Sequence, residues 1–256
     1  MQVGQATMTT TTFSSRDEAT EGSAAESRRL FLGVSGLYLA LYLHFGFFAF
    51  IPLWLKHTGV TPGEIGVLLA IPLVLRLLTV APFSAWAGRR GLVRNAIPVA
   101  AVLSAAIIAL LLGQPGHAGR IAVVLAFSMM WDQLPVLTDA YAVMAVRARK
   151  LDFGRMRVWG SIAVVASTAS AGWVFDVTGI EALPLLVAGL LLLPAMVAPF
   201  LPPDRQMAVI EEGAAGNWRD VIADRKLMRA MIAASVIMGS HGVLSSCGVS
   251  PTASAM

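Results

Sequence analysis

Along residues 30–202 six long apolar stretches alternate with short polar loops, at 30–55, 65–87, 95–112, 121–146, 158–175 and 182–201. Each is close to the roughly 20 residues with which a helix crosses about 30 Å of hydrocarbon. Lipid offers the backbone no hydrogen-bond partner, so such segments must be helices, whereas a barrel would show short alternating strands. The pattern predicts an all-α fold, a polytopic transmembrane helical bundle. Residues 1–29 are rich in Thr, Ser, Ala and Glu and poor in bulky apolar side chains, the signature of a disordered tail. The first stretch is too long for a signal-peptide core and has no clear small-residue cleavage site before Lys56, so it reads as an uncleaved span. Beyond the sixth span, 203–227 has the mixed charge of a linker, and 228–256 opens as a seventh span and ends in small and polar residues.

Composition excludes a soluble reading: 57% of residues are hydrophobic and 13% charged, against about 25% charged in an average soluble domain. The net charge of +4 does not imply nucleic acid, because the cations are dealt into alternate loops and form no single patch. Arg28 and Arg29 precede span 1. Arg89, Arg90 and Arg94 follow span 2; Arg147, Arg149, Lys150, Arg155 and Arg157 follow span 4; Arg205, Arg219, Arg225, Lys226 and Arg229 follow span 6. The opposite loops hold Lys56 and Arg120, so the N-terminus and the Arg-rich loops are expected in the cytoplasm and the chain in the inner membrane, crossing it several times. The single cysteine, Cys247, permits neither an intrachain disulfide nor a cysteine metal cluster, and no cofactor or metal is expected.

Polar groups inside the spans carry the candidate chemistry. A charge at the centre of a span costs roughly 2.5 to 3.5 kcal/mol on insertion scales, and such groups mark a solute or ion pathway. Arg76 lies near the centre of span 2. Asp132 lies near the centre of span 4, and Asp139 follows seven residues later on nearly the same helical face. One aspartate is expected to pair with Arg76 while the other titrates. Arg76 would then hold a carboxylate substrate or act as counter-ion to a proton-carrying aspartate; the structural alternative is a static ion pair that fixes helix register. His44, in span 1, is either a proton relay or a neutral histidine hydrogen-bonded between helices. Tyr38, Tyr42 and Trp131 form either a cavity wall or ordinary packing. The prolines at 52, 72, 82, 98, 135, 184 and 194 read as interruptions that permit bending.

One enzyme reading rests on Gly33-Val34-Ser35-Gly36, a short pattern shared with intramembrane serine proteases, with His241 as base. Small residues at helix contacts explain the same pattern, and the chain reads as a non-enzyme. Phosphate loops, dinucleotide fingerprints and zinc spacings are not evident.

The loop after span 4 is the most specific segment. Leu151-Asp152-Phe153-Gly154-Arg155-Met156-Arg157-Val158-Trp159-Gly160-Ser161-Ile162 resembles the Asp-aromatic-Gly-x-x-Arg-x-Trp-Gly-Ser signature of the phenylpropionate-permease and nucleoside:proton-symporter-like branch of the major facilitator superfamily. In that resemblance Gly154 permits a turn, and Asp152, Arg155, Arg157 and Trp159 belong to a cytoplasmic gate. Pro72 with Arg76, and Pro135-Val136-Leu137-Thr138-Asp139, resemble further elements of the branch. Ala87-Gly88-Arg89-Arg90-Gly91 is similar to the superfamily's second gate motif, keeping Arg89 and Arg90 but with Gly88 in place of the acid.

The resemblance implies twelve helices in two six-helix halves, each made of two inverted three-helix repeats, with alternating access by rocking of the halves. It covers the first half, the linker and the start of helix seven. The activity it implies is proton-coupled symport of a small organic solute. From 243 onward the sequence departs from it, and the expectation is a truncation or frameshift. The chain would then be an inactive fragment, the reading preferred here, or it would form a homodimer or join a separate second half. A structural or regulatory membrane protein is the competing class.

Overall fold

The computed structural model describes residues 6–207 together with the isolated positions Arg225, Met228, Arg229 and Ala233. The chain divides into two units, Met1–Val209 and Ile210–Met256. The rest of the linker, the seventh span, His241 and Cys247 lie outside the described residues.

Six helical spans long and apolar enough to cross a membrane fill the first unit: Gly22–His57, Pro62–Arg89, Val93–Gly113, His117–Arg149, Phe153–Thr178 and Ile180–Phe200. This is the all-α polytopic bundle that the hydropathy pattern predicts, with span ends moved by a few residues. Span 1 consists of α1 (Ala6–Tyr42), α2 (Phe45–Phe48) and α3 (Ile51–His57). Span 2 is α4 (Pro62–Arg89) and span 3 is built on α5 (Val93–Ala109). Span 4 is divided into α6 (His117–Trp131) and α7 (Gln133–Arg149). Spans 5 and 6 are α8 (Phe153–Thr178) and α9 (Leu183–Val197), and a short α10 (Asp204–Met207) follows.

Two regions depart from the sequence expectation. Helix α1 begins at Ala6 and runs through the segment whose composition marks a disordered tail. That segment has no proline and one glycine after position 4, Gly22, so nothing stops a helix that the apolar span has already nucleated. At the other end Asp204 and Met207, assigned from sequence to the linker, are buried against the bundle.

The connections are short because each helix stops on a left-handed residue: Gly59, Gly91, Gln114, Lys150 and Gly179. At Gly91 the backbone N–H of Leu92 donates to Ala87 O at 2.9 Å and that of Gly91 to Gly88 O at 3.1 Å, closing span 2 in a Schellman motif. This gives the Gly91 of the basic loop a structural duty at φ 60°, where a β-carbon is penalised. In the next loop but one, the left-handed position is Lys150 and not Gly154, which is helical within the first turn of α8; the expected turn at Gly154 is corrected accordingly. Asp152 supplies the cap there, its carboxylate accepting the Arg155 backbone N–H at 3.1 Å. At the start of α4, Thr61 and Glu64 form a reciprocal capping box with Pro62 behind it.

Span 1 packs on span 5 and span 2 on span 4, while span 3 lies along span 6. Exchanging spans 1–3 with spans 4–6 maps the first contact onto the second and the third onto itself. Burial follows the same exchange: spans 1 and 4 are the most enclosed, 3 and 6 intermediate, 2 and 5 the least. The contacts thus carry the pairing of two three-helix repeats.

Candidate functional site

The site begins at three breaks in the central helices, each explained by one missing backbone donor. Helix α2 ends at Phe48, four residues before Pro52, and α6 ends at Trp131, four residues before Pro135; a proline nitrogen cannot donate to the carbonyl four residues back. Helix α1 ends at Tyr42, and the residue four later, Gly46, donates its N–H to Ser167 Oγ of α8 at 3.2 Å. A β-carbon at Gly46 would strike the backbone of Ser167 and Thr168, so only glycine permits this crossing. Of the prolines read as interruptions, those at 72, 82, 98 and 194 lie within continuous helices and Pro184 stands in the first turn of α9, while Pro52 and Pro135 stand at breaks within a span.

The breaks of spans 1 and 4 meet. His44, fully buried at the first, accepts at Nε2 the indole N–H of Trp131 at the second. Phe48 stacks on Trp131 at 4.7 Å between ring centroids, Phe45 lies 5.0 Å from the same ring, and Tyr42 stacks on Phe45 at 4.7 Å. Because Nε2 is an acceptor, the ring holds its proton elsewhere and orients Trp131. This geometry favours the histidine hydrogen-bonded between helices over the proton relay.

Asp132 is the residue at the break in span 4, and its carboxylate is 3.8 Å from Arg76 Nη1. The aspartate side chain is buried (8% exposed) and the guanidinium half-exposed (47%). At 3.8 Å the two attract without a hydrogen bond, which leaves room for a third group to take the arginine's donors. Two turns along, Asp139 meets a second arginine. Its carboxylate accepts the Tyr38 hydroxyl at 2.7 Å and lies 3.8 Å from Arg157 Nε. The Arg157 guanidinium also sits 4.4 Å above the Tyr42 ring and 5.1 Å above that of Tyr38. Gly160 makes space for this cage, since a β-carbon there would lie 3.0 Å from Tyr42 Cδ2 and 3.4 Å from Arg157 Nη1. The two arginines come from spans 2 and 5, which the repeat exchange makes equivalent, and both aspartates come from span 4.

Other candidates fall elsewhere. Arg157, expected from the resemblance in the cytoplasmic gate, makes contacts that join it to the Asp139 and tyrosine cluster. Arg155 lies over the Phe31 ring at 5.9 Å and Arg90 over Trp86 at 5.2 Å, while Arg89 and Trp159 are exposed. Ser35 is buried at 4% exposure in span 1, an unsuitable place for a nucleophile that must meet water. A network the sequence did not announce ties the Arg-rich end together. Asp204 accepts the Arg94 backbone N–H at 3.0 Å, the Arg94 side chain donates to Leu201 O at 2.8 Å, and Tyr141 donates to Pro202 O at 2.7 Å.

Helix breaks that face each other, buried charge and an aromatic lining are how helical carriers build solute sites at membrane depth. Residues 31–246 match the MFS_1 like family, and the chain belongs to that family of the major facilitator superfamily. It is also similar to the probable 3-phenylpropionic acid transporter of Escherichia coli (strain K12), 28% identical over 208 residues that cover 80% of this chain and 54% of the relative. The chain thus spans about half the length of that curated relative. No solved structure matches.

Proposed function

We propose that the chain is a six-helix half of a multi-pass permease, not an enzyme, which moves a small organic anion across the inner membrane together with protons, its N-terminus in the cytoplasm. The observation that carries this reading is the pair of arginine–aspartate contacts on one face of span 4, beside aromatic rings held at two helix breaks. A carboxylate solute would displace Asp132 from Arg76, which is half-exposed and free to form a bidentate contact. An aspartate released from its cation in a poorly hydrated setting takes up a proton, coupling solute to proton. The aromatic rings suit an aromatic body, and the relative's name supplies 3-phenylpropionate as the first solute to try. Asp139, already engaged by Tyr38 and Arg157, fits the static role better than Asp132 does. A second six-helix unit, from a longer chain or a second copy, would complete the pathway against spans 2 and 5.

The test is binding of 3-phenylpropionate by this chain and, with a second six-helix unit supplied, its uptake in proteoliposomes with an inward proton gradient. The expected result is saturable quenching of tryptophan fluorescence and gradient-driven uptake, both lost in Arg76→Leu while membrane insertion is retained. Asp132→Asn is expected to remove the response of uptake to pH. Undiminished uptake by Arg76→Leu would overturn the role of that arginine. If Asp132→Asn lost expression instead of coupling, the buried charges would be assembly contacts.

A further inference from the structure

Where spans 1 and 6 meet at the Arg-rich end lies a crevice of about 770 Å³, lined by Glu26, Arg29, Leu30, Gly33, Met196 and Phe200 among others. Its polar part is confined to one place. Glu26 and Arg29 lie one turn apart on α1, just before the apolar run that opens at Leu30, and the other residues that line the crevice carry no charge. Gly33, four residues and about 6 Å along the helix from Arg29, has no side chain to fill the groove. On the facing wall Met196 is 65% and Phe200 89% exposed, so the groove stands open to the hydrocarbon that surrounds a membrane helix.

The two charges do not neutralise each other. Glu26 is engaged by Arg149 at 2.5 Å. Asp204, the next acid along span 6, is buried and accepts the backbone N–H of Arg94. Arg29 is left exposed, with no ion pair among the described residues. A cation at the head of an apolar groove is complementary to a molecule with an anionic head and an apolar chain, and the bilayer supplies one in its anionic phospholipids. A small free anion would leave the groove unfilled. A zwitterionic lipid would bring an ammonium group towards the same arginine.

We propose that this crevice binds an anionic phospholipid of the bilayer, with its phosphodiester at Arg29 and an acyl chain in the groove beside Gly33 and Phe200. The site is separate from the solute site and rests on the membrane setting, not on the transport reading. Leu201, which also lines the crevice, holds the carbonyl that accepts from Arg94, so the lipid sits against one of the ties of the Arg-rich end.

The test uses the full chain in phosphatidylcholine vesicles that carry a trace of photoactivatable phosphatidylglycerol or phosphatidylcholine, the two probes sharing one diazirine-bearing acyl chain. Labelled peptides are mapped by mass spectrometry. The expected result is labelling at 30–33 and 196–202 that unlabelled phosphatidylglycerol competes away, with the anionic probe preferred by roughly threefold to tenfold, as one arginine near an anionic lipid supports. Arg29→Gln is expected to erase that preference. Arg28→Gln, whose side chain is turned about 100° away around the helix, is expected to keep it. Equal labelling by the two probes in the native chain overturns the proposal, as does labelling that phosphatidylglycerol does not compete. Loss of the preference in Arg28→Gln as much as in Arg29→Gln also overturns it, since general surface charge would then be the cause. If neither probe labels these peptides, the groove holds no lipid and the proposal fails. Should Arg29→Gln not insert, the comparison of the two probes in the native chain still decides.

Discussion

At the scale of single residues, the charges were legible in the sequence and their surroundings were not. Arg76 and Asp132 stand out because each is an ion in an apolar run, and the structure sets them 3.8 Å apart. Arg157 reads from sequence as one of the topology and gate cations that surround it, and only the folded chain brings it over Tyr42 and beside Asp139. His44 shows the same limit: its type suggests titration, while its partner, the Trp131 indole, defines an acceptor. Replacing His44 with Leu leaves that indole N–H buried and unpaired, at a cost of about 1 to 3 kcal/mol. His44→Gln can still accept. Thermal unfolding in detergent is expected to show a lowered midpoint for His44→Leu and a near-native one for His44→Gln, with solute binding following the same order. If both lose binding equally while remaining folded, the imidazole itself is needed and the positioning role fails. Gly160 gives a second handle. Gly160→Val pushes a side chain into Tyr42 and Arg157, so solute affinity is expected to fall by about tenfold or more, as a displacement worth at least 1.4 kcal/mol implies. Titration with 3-phenylpropionate checks it.

Between residue and fold stand the helices, and here the sequence reading was half right for a reason that can be stated. Proline marks where a helix lacks a donor, but it does not say whether the neighbouring turns absorb the loss. Pro72, Pro82, Pro98 and Pro194 are absorbed within α4, α5 and α9, whereas Pro52 and Pro135 end helices. The third break, at Tyr42, involves no proline; it depends on Ser167 capturing the Gly46 N–H from 121 residues away, which no local pattern encodes. Restoring a donor is therefore informative. Pro135→Ala would let residue 135 donate to Trp131 O and join α6 to α7, relieving a defect worth about 3 kcal/mol in a helix interior. The expected outcome is a higher unfolding temperature with weaker solute binding, because Asp132 would turn with the continuous helix. A stabilised variant that binds normally would show that the break does not serve the site.

At the scale of the molecule, the two ends of the bundle are fastened differently, and this bears on which end opens. At the end away from the Arg-rich loops, the ion pairs between spans among the described residues are His57 with Glu181 at 3.7 Å and His117 with Glu64 at 2.8 Å, all substantially exposed. Exposed pairs of this kind contribute at most about 1 kcal/mol. At the Arg-rich end, the buried Asp204 accepts from the first turn of α5, where the N-cap position is Leu92 and has no side-chain bond of its own. A cap supplied in this way is worth about 0.5 to 2 kcal/mol, and it is reinforced by Arg94 on Leu201 O, Tyr141 on Pro202 O and Glu26 on Arg149. Only the span pattern and its basic loops could be read in advance at this scale, because every one of these ties joins residues far apart in the chain. The difference predicts slower amide exchange at 92–95, Leu201 and Asp204 than at 57–61 and 179–182, measured by hydrogen–deuterium exchange in vesicles. Asp204→Ala is expected to speed exchange at 92–95 by roughly threefold to thirtyfold, the range that the loss of one cap allows, while leaving the opposite end unchanged. If Asp204→Ala loosens both ends alike, the bundle opens as one cooperative unit and the Arg-rich end holds no separate latch.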